Sequence, residues 1–77
     1  MSVTLLDAEI DTTVRIEQIS LAPSRMQAIR LGLVPGATVQ VVQKLLHGPV
    51  VVMQKGRNLA IGYDLARHIV VEPHGPK

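Results

Sequence analysis

The chain has 77 residues, a net charge of +2 and no cysteine, which excludes a multidomain architecture, a disulfide framework and a thiolate zinc site. A chain this short buries only about 60% of its unfolded surface. With Tyr63 as its one aromatic residue, the core must be built from Val, Leu and Ile. No apolar run approaches the roughly 20 residues needed to cross a bilayer. The start, M-S-V-T-L-L-D, meets an acid at once and lacks the basic leader of a secretory signal. The expectation is a single cytoplasmic domain that is not membrane-embedded.

Val3 to Ala8 reads as a lead-in or single turn packed against the body of the domain. Thr12 to Ser20 alternates Val14 and Ile16 with Arg15 and Glu17, the pattern of a first strand. Leu21 to Pro23 connects it to a helix. Ser24 followed by Gln27 fits a capping box, with Met26, Ile29 and Leu33 recurring at helical spacing behind it. Gly32 sits where a helix needs a left-handed stop, and Pro35-Gly36 supplies the dihedrals of a type II turn.

Thr38 to Lys44 predicts the second strand, with a phase slip at Val41-Val42 that marks a bulge or a strand covered on both faces. Leu45 to Pro49 is a loop, and Val50 to Gln54 the third strand. Lys55-Gly56 is a turn, and Arg57 to Ile61 is the fourth strand, with Leu59 and Ile61 on one face. Gly62 to Arg67 is a bend with one helical turn, and Ile69 to Glu72 is the fifth strand. Residues 73–77, P-H-G-P-K, read as a flexible tail. The sum is a mainly β fold: a small barrel of about five strands, with one short helix between the first two and a helical turn before the last.

Within that pattern, R-M-Q-A-I-R-L-G-L-V-P-G-A-T-V resembles the R-x-x-L-x-x-L-G-hydrophobic-x-P-G signature of the FeoA family, small cytoplasmic components of bacterial ferrous iron transport. H-G-P-V-V-V-M is similar to that family's G-D-P-hydrophobic stretch, and L-A-I-G-Y-D-L-A-R-H-I-V-V to its closing segment, so the resemblance spans residues 12–72. Three positions depart from it. Glu9-Ile10-Asp11 stands where a Gly is frequent, His47-Gly48-Pro49 replaces Gly-Asp-Pro, and Met26 and Ala28 lie near the usual helix leucines. The resemblance implies an SH3-like barrel over residues 1–77. It also implies a non-catalytic accessory role toward a FeoB-type permease with a cytoplasmic GTP-binding domain. A related domain ends iron-dependent repressors of the DtxR type, so a metal-responsive interaction domain is an alternative.

The residues themselves hold no catalytic set. There is no Cys nucleophile, no Walker A sequence and no G-x-S-x-G elbow, and no cofactor motif. His68, His74 and Glu72 are weak metal candidates without the spacing of a known site. Charge is divided along the chain. Asp7, Glu9, Asp11 and Glu17 face only Arg15, whereas the remainder is basic. A nucleic-acid-binding barrel is the rival reading, but base-stacking platforms need several aromatic rings and only Tyr63 is present, so no nucleic acid partner is expected. A protein-binding module remains. Its expected contacts are Arg25 and Arg30 on the helix and the Leu45-Leu46 loop, where adjacent leucines cannot easily both turn inward.

Overall fold

The computed structural model describes residues 3–74. Its frame is one six-stranded antiparallel sheet in the order β1-β6-β2-β3-β4-β5, formed by β1 (Val3–Thr4), β2 (Thr13–Ile19), β3 (Thr38–Lys44), β4 (Val50–Gln54), β5 (Arg57–Ile61) and β6 (Ile69–Pro73). A 3-10 turn at Leu5–Asp7 follows β1, α1 (Ala22–Arg30) separates β2 from β3, and α2 (Tyr63–Ala66) precedes β6. The sheet has one strand more than the sequence pattern predicts, because Val3–Thr4 is long enough to pair with Val71 and Val70 but too short to alternate. Residues 75–77 of the expected tail lie outside the described residues; Pro73 closes β6, and the His74 N–H donates to Thr13 O at 3.0 Å.

The strands curl around an aliphatic core. Val14, Ile16 and Ile19 from β2, Val39 and Val41 from β3, Val50 and Val52 from β4, Ile61 from β5 and Ile69 and Val71 from β6 are all buried. No polar side chain is buried among the described residues. Two bulges keep these residues inward. One lies between Ile16 and Gln18 against β6, and the other between Val41 and Gln43 against β4, where the sequence phase slips. An extra residue reverses the alternation, so Ile19 returns to the core three positions after Ile16. Leu5 of the 3-10 turn plugs the core at 2% exposure, a burial that stabilises by about 1.5–3 kcal/mol.

The turns follow their residue chemistry. Lys55 and Gly56 both have positive φ, +52° and +80°, the form that a two-residue hairpin between right-twisted strands prefers. Gly36 has φ +94° and the Ala37 N–H donates to Val34 O at 2.9 Å, as a type II turn requires. At the end of α1 the Leu33 N–H reaches Ala28 O and the Gly32 N–H reaches Ile29 O, both at 2.9 Å, with Gly32 at φ +81°. This pair of bonds is a Schellman motif.

The start and the orientation of α1 differ from expectation. The helix begins at Ala22, with Leu21 as N-cap and no side-chain capping bond, so Ser24 and Gln27 form no capping box and Leu21 to Pro23 is not a connection. Pro23 lies in the first turn, where its missing N–H costs nothing and its fixed φ favours the helix. The face is corrected as well. Met26 and Ile29 are 58% and 60% exposed, whereas Ala28 is fully buried and Leu33 is 1% exposed. The helix packs closely against β2 and α2 through a small residue, and its larger aliphatic side chains point outward.

Candidate interaction surfaces

The first surface is the outward face of α1. At 100° per residue, Ala22, Met26 and Ile29 fall within about 60° of one another, roughly 100–160° around the axis from buried Ala28. All three are exposed. Arg25 lies on one flank of this stripe and Arg30 on the other. The Arg25 guanidinium is held by a hydrogen bond from Nη1 to Ile19 O at 3.2 Å. The arginines stand on the helix as the sequence pattern places them; beside the helical spacing of Met26, Ile29 and Leu33, the i, i+4, i+7 spacing of residues 22, 26 and 29 is the signal for a second apolar stripe.

The second surface is the β3–β4 loop. Leu45 is 50% and Leu46 90% exposed, so the two leucines do both face solvent in part. They border a groove of about 480 Å³ lined also by Leu6, Asp7, Lys44, His47, Val50 and Tyr63. Lys44 Nζ donates to Leu6 O at 3.0 Å, tying the amino-terminal turn to the loop. His47, at φ +56°, meets Tyr63 edge to face with ring centroids 6.2 Å apart. Neither Leu6 nor Tyr63 was legible as a groove residue, because their approach depends on the sheet curling α2 and the 3-10 turn together. No residue of α1 lines this groove. The carboxyl end of α1 sits instead beside Gln54, whose Nε2 donates to Gly32 O at 3.2 Å. Gln54 is about 13 Å along β4 from Val50 at the loop.

The metal candidates are not brought together. Glu72 pairs with Arg15 across β2 and β6. His68 Nδ1 lies 3.2 Å from Ser20 Oγ, and Asp64, at 3.8 Å, pairs with Arg67. Among the described residues no group of three or more His, Asp or Glu side chains could hold a metal ion. No helix among the described residues is long and apolar enough to cross a membrane.

A model of the FeoA domain matches residues 3–73, nearly the whole chain. The chain belongs to the FeoA family. An iron uptake regulatory protein, FeoA, known from its crystal structure shares 30% identity and a TM-score of 0.85, with 96% of this chain and 99% of that one covered. The FeoA of Stenotrophomonas maltophilia, solved with zinc, is described as an SH3 domain protein and a candidate ferrous iron transport activating factor. It matches at 23% identity and TM-score 0.75 over 90% of this chain and 88% of its own. A manganese-dependent transcriptional repressor shares the fold at 17% identity and TM-score 0.85, over 95% of this chain and 42% of the repressor. Among curated proteins no sequence matches this chain. Membership in the FeoA family makes the chain an SH3-like, non-catalytic accessory protein of ferrous iron transport.

Proposed function

We propose that this FeoA-family protein binds the cytoplasmic face of a FeoB-type, GTP-dependent ferrous iron permease and modulates its transport cycle. The observation that carries the reading is the FeoA-domain match over residues 3–73. The surfaces support it: the chain exposes Met26 and Ile29 between Arg25 and Arg30 on α1, and Leu45 and Leu46 in the β3–β4 loop. A small rigid domain biases a larger machine only by binding one of its states more tightly than another. A coupling of about 1–3 kcal/mol, typical of allostery, changes activity by roughly 5–150-fold.

The contacts in this reading are Arg25 and Arg30 on α1 and Leu45 and Leu46 in the loop. Rim charges act chiefly on association, so Arg30→Glu slows binding to the permease and reduces its salt dependence. Deleting the gene should lower ferrous uptake at native permease levels, and the purified protein should not hydrolyse GTP. Unchanged uptake in the deletion strain would refute the proposal.

A further inference from the structure

The stripe on α1 has the chemistry of a docking face. Met26 and Ile29 are the two aliphatic side chains of the helix that burial leaves out, at 58% and 60% exposure, and Ala22 beside them lets a neighbour approach closely. They are bracketed by Arg25 and Arg30, and the chain carries no Asp or Glu from Gln18 to Tyr63. Asp64, on the neighbouring α2, pairs with Arg67. The apolar face is therefore framed by positive charge on both sides without compensation from the helix itself.

That charge selects among occupants. A second copy packed face to face would set Arg25 and Arg30 against their own equivalents, a like-charge juxtaposition that suppresses pairing. An anionic membrane satisfies the arginines but not the apolar requirement. Interfacial anchoring uses Trp, Phe or Tyr and a long apolar face, and the one aromatic residue, Tyr63, stands at the loop groove with His47. A partner helix satisfies both terms. Its aliphatic stripe fits the 22, 26, 29 spacing by ridges-into-grooves packing, and carboxylates on its flanks meet the arginines. The Arg25 guanidinium, already held by Ile19 O, loses less conformational freedom when a carboxylate binds it.

We infer that the outward face of α1, the stripe of Ala22, Met26 and Ile29 between Arg25 and Arg30, docks an acidic amphipathic helix of a protein partner. This rests on the permease reading for the identity of that partner, and names the part of it that is recognised.

Amide shift mapping on the full chain tests it with three probes. They are the cytoplasmic GTP-binding domain of the permease, a synthetic helical peptide with a leucine stripe flanked by glutamates, and phosphatidylglycerol vesicles. The domain and the peptide should each perturb residues 22–31. The double variant Met26→Glu/Ile29→Glu should weaken both by about tenfold or more, while its spectrum elsewhere stays that of the folded protein because both sites are exposed. Shifts from the domain confined to residues 45–48 overturn this surface and leave the permease reading intact. A peptide that binds α1 while the domain binds nowhere supports the surface and refutes the permease as its owner. If neither perturbs α1, or if only vesicles do, the inference is wrong.

Discussion

Replacing Gly32 by Ala isolates one backbone conformation. Gly32 has φ +81°, and a Cβ placed there would find only Gln54 Oε1, at 3.5 Å, an ordinary contact with the end of a flexible side chain. Steric clash is therefore not the cost. The cost is the left-handed conformation itself, about 1–2 kcal/mol for a residue with a Cβ, because the two Schellman bonds to Ala28 O and Ile29 O forbid relaxation to negative φ. The whole domain is expected to be stable by about 4–12 kcal/mol at this length, so the loss is a visible fraction. With an m-value near 1 kcal/mol/M, urea unfolding should show the midpoint falling by about 1–2 M at constant m. Gly32→Asn should lose less, since Asn tolerates the left-handed region. Gly36→Ala, at φ +94° with nothing within 4 Å, should cost about the same as Gly32→Ala. A Gly32→Ala midpoint indistinguishable from wild type would show that the helix stop does not depend on that dihedral.

Other expectations follow from burial. Leu5→Ala should destabilise by about 2–5 kcal/mol, since Leu5 is 2% exposed, whereas Met26→Ala should stay within about 0.5 kcal/mol; equal effects would contradict the orientation of α1. Ala28→Leu should cost about 1–3 kcal/mol by overpacking a fully buried site, measured by the same urea titration. Leu46→Gln, at a residue 90% exposed, should leave the unfolding midpoint unchanged within about 0.5 kcal/mol while weakening capture by the permease domain.

The sequence by itself determined five of the six strands, their turns and the stop of the helix. Period-two alternation, a phase slip and Gly at positions demanding positive φ are local signals, and β3, β4 and β5 begin and end where those signals place them. The helix start was not among them: the Ser24 and Gln27 pattern pointed past it, because capping-box residues are common and their geometry is not visible in one dimension, whereas Pro23 stands in the first turn of the helix. Only the tertiary structure decided which way α1 faces. A helical period shows that an apolar stripe exists, but this helix has two candidate faces, and the narrow space over β2 and α2 admits Ala28 rather than Met26 and Ile29. The same holds for β1, two residues that become a strand because β6 offers them an edge. It holds also for the loop groove, where Leu6, Tyr63 and Leu46 meet across long stretches of chain because the sheet curls. Local chemistry sets how each segment bends; which surface is left for a partner depends on the space the other segments leave.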